Sequence, residues 1–100
     1  MITEAKIILP RHCTTSSLED DLLSEFGGYT RSKAEGAWFD AEIVENVVEK
    51  VYVYTVAAKW TKREKRALRD MAIDMRYINK EKSIYLSFNG VVEFIEEENV

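Results

Sequence analysis

The chain has 100 residues, 46% of them hydrophobic and 32% charged, and a formal net charge of −4. That length makes one domain with a single core. The composition excludes disorder, and the acidic balance argues against a dedicated nucleic-acid binder while leaving room for a local basic patch.

A lone cysteine, Cys13, rules out an intrachain disulfide and fits a reducing compartment. Residues Met1 to Pro10 include Glu4 and only a short apolar run, unlike a signal peptide. No stretch approaches the ~20 apolar residues of a bilayer span. The expected location is the cytoplasm, with no membrane partner.

Ile7, Ile8 and Leu9, stopped by Pro10, read as a buried strand. Ser16 stands three residues before Glu19 in capping-box spacing. Asp20 and Asp21 suit the positive end of a helix. Leu18, Leu22, Leu23 and Phe26 share one face, and Gly27-Gly28 supplies a left-handed stop, so the first helix is predicted over about Ser17 to Phe26. Tyr29 to Asp40 reads as a long irregular strand with a bulge or bend at Gly36. Ala41 to Glu49 is acidic and reads as a turn or a short extra element. Val51 to Ala58 is the clearest strand, β-branched or aromatic up to its last two residues. Thr61 and Glu64 form a second capping box. Leu68, Met71, Ala72, Met75 and Ile78 then mark the face of a second helix over about Lys62 to Ile78. Ser83 to Phe88 and Val91 to Ile95 flank Asn89-Gly90, a strong type I′ hairpin signal because both turn residues need positive φ.

The order β-α-β-β-α-β with one further strand predicts a single α+β domain over residues 1–100. The expected fold is ferredoxin-like, with both helices on one face of an antiparallel sheet and a frayed acidic tail at 96–100. The second strand falls at a sheet edge.

The Leu22-Leu23-Ser24-Glu25-Phe26-Gly27-Gly28-Tyr29-Thr30 segment, followed by Gly36-Ala37-Trp38-Phe39-Asp40 and by Asn89-Gly90-Val91-Val92-Glu93-Phe94-Ile95, resembles a pattern in small bacterial and phage proteins of uncharacterised function. There a Phe-Gly-Gly-aromatic-Thr step precedes a Gly-x-Trp-x-Asp strand and a closing Val-x-Phe-Ile hairpin. The resemblance covers most of the chain from Leu18 onward and marks fold, not activity. The acidic stretch Glu42 to Glu49 departs from it, standing where a shorter Gly-containing turn is typical.

Two sets of polar residues carry possible chemistry. The loop Arg11, His12, Cys13, Thr14, Thr15 and Ser16 opens the first helix and offers an anion site or simply a cap. Adjacent side chains such as His12 and Cys13 seldom face each other, no third group orients them, and no zinc-ligand spacing is present. The second set is Lys59, Lys62, Arg63, Lys65, Arg66 and Arg69, which crowd the start of the second helix where the dipole disfavours cations. With Gly27-Gly28, Tyr29 and Trp60 at the same end, and with Arg31 and Lys33 extending the patch, it suits an anionic ligand such as a nucleotide. The competing reading is a solvated basic face.

The expected ligand-binding residues are therefore Lys62, Arg63, Arg66, Arg31, Tyr29 and Trp60, with Arg11 and His12. Trp38 and Phe39 point to opposite faces of the edge strand, one of them toward the core. Tyr52 and Tyr54 lie on the open face if the helices cover Val51 and Val53. These four aromatics are the expected interface, most simply of a homodimer. The absence of a triad, a Gly-rich phosphate loop and metal spacing points to a protein that is not an enzyme and needs no cofactor or metal. The expected function is a non-catalytic binding protein, of phage or mobile-element kind, that sequesters an anionic ligand such as a cyclic nucleotide signal of host defence. The alternative is a small inhibitor or adaptor of a host protein, acting through the edge strand and the acidic surface.

Overall fold

A computed structural model describes residues 1–96. Its elements are β1 (Thr3–Pro10), α1 (Ser16–Phe26), β2 (Thr30–Asp40), β3 (Glu45–Ala58), α2 (Lys62–Asn79), β4 (Ser83–Phe88) and β5 (Val91–Glu96). The strands form one antiparallel sheet in the order β2-β3-β1-β4-β5. Two helices and this sheet make an α+β domain compatible with a ferredoxin-like fold. The tail expected to fray begins inside β5 at Glu96, and 97–100 lie outside the described residues. Among the described residues no helix is long and apolar enough to cross a membrane.

The core is one cluster. β1 contributes Ala5, Ile7 and Leu9, β3 Tyr54 and Val56, and β4 Ile84, Leu86 and Phe88. They pack with Leu18 and Leu22 of α1 and with Leu68, Met71, Ala72 and Met75 of α2. The period-2 and period-3.6 patterns thus meet along one seam. Leu23 and Ile78 fit the helical spacing but lie outside the core, at 51% and 54% exposure.

Local signals set several boundaries. Gly27 ends α1 in the left-handed region, its N–H donating to the Leu23 carbonyl at 2.9 Å. The Thr61 N–H donates to Glu64 Oε2 at 3.0 Å at the start of α2. Asn89 and Gly90 have φ of 48° and 81°, as a type I′ turn requires.

Other expectations are corrected. The first capping box does not form. Thr15 is the N-cap residue, makes no side-chain cap bond, and Ser16 is already helical. β2 runs without a bulge, Gly36 pairing with Glu49. The acidic stretch is mostly strand, because β2 pairs with β3 back to Glu45 and extends the hairpin beyond the rest of the sheet. Trp38 and Phe39 lie on that extension, so both are exposed, at 47% and 59%, and neither joins the core.

Candidate functional site: a tyrosine, carboxylate and guanidinium cluster

The even-numbered residues of β3 face the core, the reverse of the parity that would cover Val51 and Val53. Tyr54 is fully buried and Tyr52 is partly buried against the core. Tyr54 is therefore not an open-face interface residue. The register that inverts them also builds a site. Tyr54 pairs with Arg31 across the β2–β3 ladder and Tyr52 with Lys33. Side chains of β2 thus stand beside the two tyrosines, on a strand that buries none of its residues.

Glu19 reaches this cluster from the first turn of α1. Its Oε2 accepts from the Tyr54 hydroxyl at 2.5 Å and from Arg31 Nη1 at 2.8 Å. Both contacts fall on one carboxylate oxygen. The Arg31 guanidinium lies 4.7 Å from the centre of the Tyr52 ring. Tyr29 meets Tyr54 edge-on at 5.5 Å, and Tyr52 meets Tyr54 at 6.3 Å. Arg11 holds the near wall: its Nε donates to the Val51 carbonyl at 3.0 Å and its Nη2 to that of Ala34 at 3.2 Å, with the guanidinium 5.8 Å from the Tyr52 ring. Burial, followed by the bond to Glu19, pushes the Tyr54 hydroxyl above its ordinary pKa, while hydrogen bonds with Thr15 and Arg31 act against that rise.

Arg11, Tyr29 and Arg31 are thus brought together, but with Tyr52, Tyr54 and Glu19 instead of with the start of α2. Sequence reasoning passed over Glu19 because its spacing from Ser16 explained it as a cap. The acidic first turn was visible, but its partners lie 12 and 35 residues away.

The remaining expected ligand residues stand apart from this cluster. Trp60 is 7% exposed, packs between Phe26 and Phe88 and donates to the Thr3 carbonyl at 2.9 Å. It is a core residue and offers no face to a ligand. Lys62, Arg63 and Arg66 are exposed at the start of α2, where Arg63 approaches Glu25 at 3.5 Å. Arg69 forms a two-pronged bond with Glu93 at 2.7 and 2.9 Å. His12 lies in the loop before α1, 3.4 Å from Glu81 and 3.8 Å from Glu49. The Cys13 thiol beside it is pushed up to about 12 by burial and then by Glu81. A groove of about 440 Å³ runs along Glu4, Lys6, Tyr85 and Ser87, on residues of β1 and β4 that alternate with the core positions.

No protein-family model matches the chain, and no curated protein matches its sequence. Among solved structures it is similar to a phage SAM lyase in complex with S-methyl-5'-thioadenosine. The TM-score is 0.67 at 12% identity, covering 94% of this chain and 88% of the lyase. At that identity the likeness is one of fold. It still overturns the expectation that the protein is not an enzyme. The fold houses a lyase, so missing catalytic motifs do not argue against catalysis. A phage protein that holds a nucleotide-like ligand is also in keeping with the ligand class read from the sequence.

Proposed function

We propose that the protein is an enzyme that binds an adenosyl compound of the S-adenosylmethionine type over Tyr29 and Tyr52 and acts on it as a lyase. The observation that carries this reading is the state of Glu19. Tyr54 and Arg31 hold its Oε2 beside the partly exposed rings of Tyr29 and Tyr52, which fixes the carboxylate to receive a ligand hydroxyl. Tyrosine faces suit a purine by stacking and a sulfonium by cation–π attraction. A fixed carboxylate suits a ribose diol, since charge-assisted hydrogen bonds are the stronger kind. The fold shared with a SAM lyase supports the same ligand class. The reading takes both helices to lie over one sheet face in a ferredoxin-like arrangement. The single core cluster they share with the sheet supports that frame. The accessory role of a phage-type protein acting on a host nucleotide signal carries over, with turnover in place of passive capture.

The test is calorimetry with S-methyl-5'-thioadenosine, together with mass spectrometry of S-adenosylmethionine incubated with the protein. Binding and conversion are expected, with Glu19→Gln and Tyr52→Ala each weakening binding at least ~10-fold, the loss of about 1.4 kcal/mol. Neither binding nor conversion in the unmodified protein would sink the reading.

A second reading concerns the β2 edge. Trp38 and Phe39 are exposed on the edge strand of the sheet, with Val44 and Val48 exposed nearby at 72% and 66%. Such an edge pairs readily with another strand. A homodimer through β2 is the form this takes, and a host protein would use the same edge. Sedimentation of the unmodified chain should give a dimer that Trp38→Ser with Phe39→Ser dissociates; a monomer at all concentrations refutes the dimer.

A further inference from the structure

The loop before α1 and the turn after α2 bring together three potential metal ligands that sequence spacing does not connect. His12 Nε2 lies 3.4 Å from Glu81 Oε1, and Cys13 Sγ lies 3.5 Å from the same oxygen. The nitrogen, sulfur and oxygen donors all fall within 4.8 Å of one another. Zinc bonds to these donors are about 2.0–2.3 Å long, so the donors on a tetrahedron stand roughly 3.3–3.8 Å apart. Two of the observed separations already have that length. The third closes by rotation of His12, whose side chain is 69% exposed.

The two segments are fixed to each other through the Asn79 side chain. Thr14 N–H donates to Asn79 Oδ1 at 2.7 Å, and Asn79 Nδ2 donates back to the Thr14 carbonyl at 3.1 Å. The Glu81 N–H donates to the Arg76 carbonyl at 3.0 Å, with Lys80 in the left-handed conformation that turns the chain out of α2. The ligand-bearing backbone is thus already in place, and only side chains need settle. Glu49 Oε1, 3.8 Å from His12 Nε2, adds negative charge to one side.

We propose that His12, Cys13 and Glu81 bind a zinc-class divalent cation, with solvent in the fourth position. The donor set selects the metal. A thiolate with an imidazole favours zinc or cobalt over magnesium or calcium, which take oxygen ligands. Binding releases the thiol proton, and one thiolate with one carboxylate neutralises the dication. The site is separate from the tyrosine cluster, and its test does not depend on any activity there.

The test is optical titration of untagged, chelator-treated full-length protein with Co²⁺. A single equivalent should bring up a thiolate-to-cobalt charge-transfer band and tetrahedral ligand-field bands, and Zn²⁺ should abolish both. Cys13→Ser should remove the charge-transfer band. His12→Ala, at an exposed side chain where folding is not at stake, should weaken Zn²⁺ binding by at least ~10-fold, as should Glu81→Gln. No charge-transfer band in the unmodified protein, or Zn²⁺ affinity unchanged in His12→Ala or Glu81→Gln, overturns the proposal.

Discussion

The Tyr54 hydroxyl donates to Glu19 Oε2 across 2.5 Å, joining the central part of β3 to the first turn of α1. A hydrogen bond to a charged acceptor contributes about 1.5–3 kcal/mol, and less where water competes. Tyr54→Phe keeps the buried ring and leaves Glu19 bonded to Arg31, so it should cost about 1 kcal/mol. Glu19→Ala strips both Tyr54 and Arg31 of their acceptor and should cost more, about 1–3 kcal/mol. Urea unfolding of the two variants measures both; a costlier Tyr54→Phe would contradict this assignment.

The same bond makes stability fall on the alkaline side. Burial and then Glu19 raise the Tyr54 pKa above its ordinary value of 10.0. The folded chain therefore holds a proton that the unfolded chain has already released once pH passes about 10. This contribution is fully present below the unfolded pKa and is lost as pH rises through the folded one. Unfolding free energies between about pH 9 and 11 should decline less steeply in Tyr54→Phe than in the unmodified protein.

On the acid side the relevant pair is Arg69 and Glu93. The Arg69 hydrogen bond holds the Glu93 carboxyl below its ordinary value of 4.5. The pair stabilises the fold above that value and ceases to do so as pH falls through the lowered one. Both side chains are more than a third exposed, so Glu93→Gln should cost under ~1 kcal/mol, and the cost should shrink in high salt. Denaturant midpoints at neutral pH in low and high salt read the effect.

Gly90 isolates a pure backbone effect. A Cβ built there meets nothing within 4 Å, yet φ is 81°. Gly90→Ala should therefore lower stability by about 1–2 kcal/mol through the left-handed penalty alone. Gly36→Ala, at a position with equal space and no positive φ, should be neutral or stabilising. Thermal melts of the two variants compare them directly.

Legibility along the chain followed the range of each interaction. Gly27, Thr61 with Glu64, and Asn89-Gly90 were readable because each acts within a few residues on its own backbone. The start of β3 at Glu45 was not, because Glu45, Asn46, Glu49 and Lys50 are polar and the segment becomes strand by pairing with Glu35 to Asp40. Leu23 and Ile78 satisfy a helical period that does not say how wide the covered stripe is. Trp60 was read as a ligand aromatic because Lys59, Lys62 and Arg63 flank it, although its ring turns inward.

By itself the sequence determined the α+β class, the type and order of its main elements, its helix stops and its final hairpin. Each of these follows from local propensity, capping or hydrophobic period. Only the tertiary structure decided which side of β3 faces the core, and so which residues come together. Tyr54 with Glu19 spans 35 residues, and Cys13 with Glu81 spans 68. Period-2 alternation is the same for either register, and a shift of one residue exchanges the valines for the tyrosines. The choice is made by packing into the shared core, which no local pattern contains.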